Sequence, residues 1–268
     1  MIGFNHLGRI GRLGNQMFQY AALRGIAENR GYNFCLPIHQ NEIDDGIGNK
    51  LKTEIFLPFK MESINSLNIQ FIDEDRPVVS ESGFEFDENL FNNCPDWVSL
   101  FGYFQSEKYF KHIESQIRDD FTFKDEILNP CKEMISQIDN PVALHIRRGD
   151  YLNNSNNHHN LNLDYYKEAL DHFDPDLCVI VFSDDPSWCK EQKLFSSDRF
   201  FVSEDNNQYI DLCLMSLCKY HIIANSTFSW WGAWLANSQK VIAPEKWFGP
   251  NNSHLNIKDL YLETWKLL

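Results

Sequence analysis

The chain has 268 residues, 43% of them hydrophobic and 14% aromatic, and a formal net charge of −14. That is enough apolar material for one large core or two modest domains sharing an interface, and the acid excess excludes a general nucleic-acid binder, which needs a basic face. Seven cysteines, scattered, odd in number and without a CxxC pair, argue against a disulfide framework or a zinc site and for a reducing compartment. The start Met1-Ile2-Gly3-Phe4-Asn5-His6 lacks the pattern of a signal peptide, and no run nears ~18 apolar residues, so no transmembrane span is expected. The expected location is cytoplasmic, with a peripheral place at the inner membrane as the variant of that reading.

In chain order, the first element is a glycine-rich turn, Gly8 to Gln16, feeding a helix from Met17 onward with Asn15 as its cap. Free amides at a helix start attract anions, although Gly-x-x-Gly-x-x-Gly is neither the dinucleotide fingerprint nor a P-loop. Tyr32 to Leu36 reads as a strand, 38–110 as irregular, and Lys108 to Asp120 and Asp125 to Ile138 as helices, with a break at Asn140-Pro141. We therefore expect two domains, 1–138 and 139–268.

The second half alternates. Val142 to Ile146 reads as a buried strand, and Leu163 to Phe173 as an amphipathic helix capped by Asp164. Leu177 to Phe182 is a strand, Pro186 to Gln192 a short helix, Arg199 to Val202 a strand and Gln208 to Lys219 a helix. His221 to Ala224, Ser229 to Asn237 and Lys240 to Ala243 continue the pattern, and Ile257 to Trp265 suggests a closing amphipathic helix. Strand and helix in alternation imply a parallel sheet covered on both faces. In such sheets ligands sit outside the carboxyl ends of the strands. Those ends run into Arg147-Arg148-Gly149-Asp150, Ser183-Asp184-Asp185, Ser203-Glu204-Asp205 and Asn225-Ser226-Thr227.

Two adjacent arginines at a strand end, in so acidic a chain, suit a phosphate, because the guanidinium fork makes two parallel charge-assisted bonds. Period-two alternation puts His145 and Arg147 on one side of the strand and Arg148 on the other, where it braces the turn or the domain. Ser226, Thr227, Phe228 and Ser229 stand at a strand-to-helix junction, where hydroxyls and amides bind phosphate oxygens or simply cap the helix. Trp230, Trp231 and Trp234 follow at helical spacing and read as core. Ser183 and the pair Asp184-Asp185 read as a strand-end cap or a ribose contact rather than a metal site. The Asn-rich segment with His158-His159 reads as a mobile, solvated loop that could serve as an acceptor lid.

Three segments together resemble the α-1,2-fucosyltransferases of glycosyltransferase family 11. They are Gly11 to Ala21 (GRLGNQMFQYA), His145 to Tyr151 (HIRRGDY) and Asn225 to Leu235 (NSTFSWWGAWL), with Phe182-Ser183-Asp184-Asp185 as a fourth. Arg12 stands where that family's pattern has glycine, and Gly8-Arg9-Ile10 reads as an insertion ahead of it. The resemblance implies an α/β fold of the glycosyltransferase-B type, two Rossmann-like halves facing across a cleft, with an acceptor-side domain in 1–138 and a GDP-sugar-binding domain in 139–268. It implies inverting, metal-independent transfer of L-fucose from GDP-β-L-fucose to the 2-hydroxyl of a galactose-terminated oligosaccharide or glycolipid in bacterial glycan biosynthesis. GDP-fucose is then a substrate, and no cofactor or metal is expected. Other fucosyl transfers, α-1,6 to GlcNAc or to protein oxygen, and a non-catalytic nucleotide- or sugar-binding protein are the rivals.

On this resemblance Arg147 neutralises the β-phosphate of the departing GDP and Asp150 is the candidate base. Gly14, Asn15, Gln16, His145, Arg147, Arg148, Ser183, Asp184, Asp211, Ser226, Thr227, Phe228 and Ser229 form the donor site, with Asp211 reading guanine. Read from the residues alone, Asp150 fits equally as a structural partner of the arginines, and Asp211 equally as an acidic residue favouring a helix dipole.

Overall fold

The computed structural model describes residues 1–46 and 49–268, which form two compact units. The first comprises Met1–Lys124 and Leu255–Leu262, the second Asp125–His254 and Glu263–Leu268. Both are α/β with a parallel sheet, as the alternation of the second half requires and as the first half hid in short strands.

The first unit contains β1 (Ile2–Gly3), α1 (Leu13–Arg30), β2 (Phe34–Cys35), β3 (Ile43–Asp44), β4 (Lys50–Leu51), β5 (Val78–Ser80), α2 (Glu88–Asn93), β6 (Val98–Phe101) and α3 (Glu114–Asp120). Its main sheet has the order β2-β1-β6-β5, all parallel, with β3 and β4 forming a separate antiparallel pair. Strands of two to four residues carry too little alternation to be read from sequence. The helix expected from Lys108 breaks into two 3-10 turns before α3.

The second unit contains α4 (Asp125–Ile135), β7 (Val142–Ile146), α5 (Gly149–Asn153), α6 (Leu163–Leu170), β8 (Val179–Ser183), α7 (Pro186–Glu191), β9 (Phe200–Val202), α8 (Gln208–Leu217), β10 (Tyr220–Ile222), α9 (Thr227–Leu235), β11 (Lys240–Ala243) and β12 (Lys266–Leu267). Its sheet is wholly parallel, in the order β12-β11-β10-β7-β8-β9. Val142, Leu144 and Ile146 pack with Tyr165, Tyr166, Ala169 and Leu170 of α6. The alternate residue His145 meets Ser229 of α9 on the opposite face. Trp230, Trp231 and Trp234 are buried in that second layer and contact one another edge-on and stacked.

Three expectations change. The division falls at Lys124/Asp125 rather than at 138, because α4 packs on α8, where the Cys131 thiol lies 3.8 Å from the Ile210 carbonyl. The helix expected over 257–265 does not form. Asp259 instead accepts from the Lys108 ammonium at 2.5 Å and from the Phe86 amide at 3.1 Å, which holds 255–262 on the first unit. Helix caps shift as well: α1 starts at Leu13, ahead of Asn15, and α6 is capped by Asn162, whose Oδ1 accepts from the Tyr165 amide, rather than by Asp164. Among the described residues no helix is long and apolar enough to cross a membrane.

Candidate functional site

Strand β7 is the first strand of its sheet in chain order, yet it lies in the middle. β8 and β9 extend the sheet on one side, β10 to β12 on the other. The winding direction therefore reverses between β7 and β10, and in open parallel sheets the crevice outside the carboxyl ends at such a switch point is where ligands bind. Arg147 and Arg148 follow β7 there, and Asn225-Ser226 follow β10.

A fully buried strand cannot continue through two arginines, so the chain leaves the sheet and turns into α5 at Gly149. Arg147 Nη1 donates to Asp184 Oδ2 at 2.6 Å, and its Nη2 pairs with Asp150 Oδ1. Asp184 Oδ1 also accepts from the Arg148 amide at 2.9 Å, so one carboxylate bridges both arginines. Arg148 leaves by the other face, where its Nε donates to Asp185 Oδ2 at 3.0 Å and its guanidinium lies 3.7 Å from the centroid of Trp188 on α7. Arg148 thus braces the turn. Asp185 caps α7 by accepting from the Trp188 amide, and Ser183 Oγ accepts from the Asp185 amide. A Cβ at Gly149 would lie 2.5 Å from Asp184 Oδ2, so a larger residue there displaces that carboxylate.

His145 is buried, with Nδ1 2.9 Å from Ser229 Oγ and its ring 5.7 Å from that of Phe228. Burial, seconded by the Arg147 charge, pulls its pKa down to about 3, so the imidazole is neutral. Ser229, expected at the donor phosphates, faces this histidine and the Ser226 and Ala224 carbonyls, so its hydroxyl is bonded within the junction. Ser226 caps α9 by accepting from the Phe228 amide, and Thr227 and Phe228 form the first turn behind it. Asp211, in the first turn of α8, accepts from Ser203 Oγ at 2.7 Å at the end of β9, and burial raises its pKa.

In the first unit, the Gln16 carboxamide is bonded within the protein. Its Nε2 donates to the carbonyls of Lys52 (2.8 Å) and Gly11 (3.3 Å), and its Oε1 accepts from the Glu54 amide at 2.7 Å. Glu54, which this bond holds beside the start of α1, is itself buried. Burial raises the Glu54 pKa. Asn15 Oδ1 accepts from Gln105 Nε2 at 3.0 Å, and Gly14 lies buried in the first turn of α1.

The structure adds residues that the motif reading left without a role. Tyr151, on α5, lies beside Arg147, and His158 stacks on its ring at 4.1 Å and 9°. His158 therefore does not belong to a solvated loop, and its backbone also bridges Phe248. Asn225 is buried and ties β10 to two segments, donating to the carbonyls of His159 and Trp247 at 2.8 Å each. The available signal was that Arg147 and Tyr151 flank the Gly149-Asp150 turn in one short motif. Two cavities, of about 470 Å³ beside Phe86 and Phe91 and about 510 Å³ beside Phe173 and Arg199, lie away from this cluster and include none of its residues. Among the described residues no group of three His, Cys, Asp or Glu side chains is placed to hold a metal ion.

Comparison with known proteins points the same way. The family model for Glycosyl transferase family 11 matches residues 1–268. An α-1,2-colitosyltransferase of Escherichia coli is 36% identical, covering 95% of each chain. Galactoside α-(1,2)-fucosyltransferase 1 of Mico humeralifer is 26% identical over 86% of this chain and 65% of its own. The crystal structure of POFUT1 in complex with GDP-fucose superposes with a TM-score of 0.58 at 14% identity, covering 88% of this chain and 94% of that one, which shows a shared fold.

Proposed function

The chain belongs to glycosyltransferase family 11, and from that premise we propose that it transfers L-fucose from GDP-β-L-fucose to the 2-hydroxyl of a terminal galactoside, with inversion and without a metal ion. The observation that carries this reading is the Arg147 fork at the switch point of the second sheet. As the bond to the anomeric carbon breaks, negative charge grows on GDP, and a positioned cation there stabilises the transition state. A guanidinium has five N–H donors. Asp184 and Asp150 take two of them, which leaves donors for phosphate oxygens. We assign removal of the acceptor's proton to Asp150, whose carboxylate sits against the same fork, and recognition of guanine to Asp211. A cytoplasmic site of action, peripheral to the inner membrane when the acceptor is a glycolipid, fits a chain whose described helices are too short or too polar to span a bilayer.

A second donor is favoured by one observation. The Escherichia coli relative, similar over nearly the whole chain, is named for colitose, the 3-deoxy counterpart of L-fucose. The linkage is then the same and the donor pocket differs at one hydroxyl.

The test is incubation of the purified protein with a galactose-terminated glycan and either GDP-fucose or GDP-colitose, in EDTA and in added Mg²⁺ or Mn²⁺, with GDP release and product linkage as readouts. We expect α-1,2 product that persists in EDTA, and a rate roughly 10²-fold lower or worse for Arg147→Ala. Arg147→Lys should recover little, because a point charge does not replace the fork. An α-1,6 or protein-linked product would reassign the acceptor, and GDP binding without any transfer would favour the non-catalytic rival.

A further inference from the structure

We propose that Tyr151 is a positioning residue that aims the Arg147 guanidinium without neutralising it, an inference that rests on the proposed donor-binding role of Arg147. Three contacts converge on this one side chain. Its ring lies 5.0 Å from the centre of the Arg147 guanidinium. Its hydroxyl donates to the Asn225 carbonyl at 3.1 Å. The same ring is stacked on His158 at 4.1 Å. Tyr151 therefore joins the end of β7 to the end of β10, the two lips of the switch point, and the His158 imidazole fixes the plane of its ring.

The need for such a residue follows from the charges. Asp150 and Asp184 hold two corners of the fork, but each also offsets its positive charge. With Asp185 on Arg148, two arginines face three carboxylates. A third carboxylate on Arg147 would orient it further at the expense of the charge that a diphosphate requires. An aromatic face orients a guanidinium while leaving its charge in place. Burial lifts the Tyr151 pKa to about 12, so the hydroxyl stays protonated and keeps its bond to the Asn225 carbonyl at working pH. The spacing from Arg147 to Tyr151 and the short helix α5 place the ring where this contact is possible.

The experiment is a double-mutant cycle on the full chain between Tyr151→Leu and Arg147→Lys, with Tyr151→Phe as the conservative variant. Two quantities are read: kcat and KM for GDP-fucose with a galactoside acceptor, and the Kd for GDP by calorimetry, with circular dichroism to confirm folding. If Tyr151 acts through the fork, Tyr151→Leu lowers kcat roughly 10- to 100-fold, as misplacement of a working group does, and weakens GDP binding. Tyr151→Phe, which keeps the ring, loses less on both readouts. In the Arg147→Lys background, removing Tyr151 then changes either quantity by less than about twofold, because the group it aims is already lost. Penalties that simply multiply would overturn the proposal, and so would a Tyr151→Leu protein indistinguishable from wild type. If Tyr151→Leu does not fold, the cycle is run with Tyr151→Phe and judged by the same rule. The GDP arm separates this inference from the functional reading: a wild-type protein that binds GDP but transfers no sugar refutes transferase activity, while the coupling of Tyr151 to Arg147 is still decided by calorimetry.

Discussion

At Arg147 the same two carboxylates that fix the guanidinium also compete with any phosphate for it, so its effect on a departing GDP depends on geometry more than on charge count. Gly149 offers a way to change the geometry and leave the charges alone. A methyl group at this position would meet Asp184 Oδ2 at 2.5 Å and its Cγ at 3.1 Å. Asp184 would swing away and give up both the Arg147 Nη1 bond and the Arg148 amide. Alanine suits the first turn of a helix at least as well as glycine, so folding should not suffer. We expect Gly149→Ala to lower kcat about tenfold, with a melting temperature within a few degrees of wild type. A kcat equal to wild type would mean that Asp184 has no part in aiming the fork.

Elements differ in how far they could be read. Strand β7 was legible because five consecutive buried residues end in two arginines, a transition only a strand end can accommodate. Helix α9 was legible because a serine cap precedes three tryptophans at helical spacing. The start of α1 was not. Its glycines suggested a waiting anion site, whereas Gln16 ties that turn to Lys52 and Glu54, residues distant in sequence that no local pattern connects to it. At Asn225 the sequence draws attention to the neighbouring hydroxyls, whereas its own amide holds the structure, and only the folded chain brings His159 and Trp247 to it. Removing that amide leaves two carbonyls without their donor at a buried position. Asn225→Ala should therefore cost about 1–3 kcal/mol, and it should expose the segment 153–160 to proteolysis before the rest of the second unit opens. Cleavage that begins elsewhere, at unchanged stability, would show that Asn225 does not hold that segment.

Across the whole chain, the repeated strand-helix order made a parallel sheet in the second unit predictable, while the return of 255–262 to the first unit rests on contacts such as Asp259 with Lys108 that sequence distance conceals. The pH dependence of stability is likewise a property of the fold, because it arises where titratable groups are buried. His221 on β10 has Nε2 2.9 Å from the Met215 carbonyl and Nδ1 2.9 Å from Ser238 Oγ, and burial lowers its pKa from 6.5 to about 4. Its folded-state value is depressed, so the unfolded chain takes up a proton below pH 6.5 that the native chain refuses. Its contribution is thus fully present above pH 6.5 and is lost progressively as pH falls towards 4. Glu81 acts in the opposite sense. Burial lifts its pKa to about 7 although it accepts from the Tyr103 and Phe104 amides, so the native chain binds its proton first and acidification from pH 7 towards 4.5 favours folding. The two variants should separate these effects. Between pH 7.5 and 5, His221→Gln should lose less stability than wild type, by about 2 kcal/mol at one proton over one and a half pH units, and Glu81→Gln should lose more. Urea unfolding at the two pH values measures both differences, and parallel pH curves for wild type and His221→Gln would show that the buried imidazole is not the acid-sensitive group.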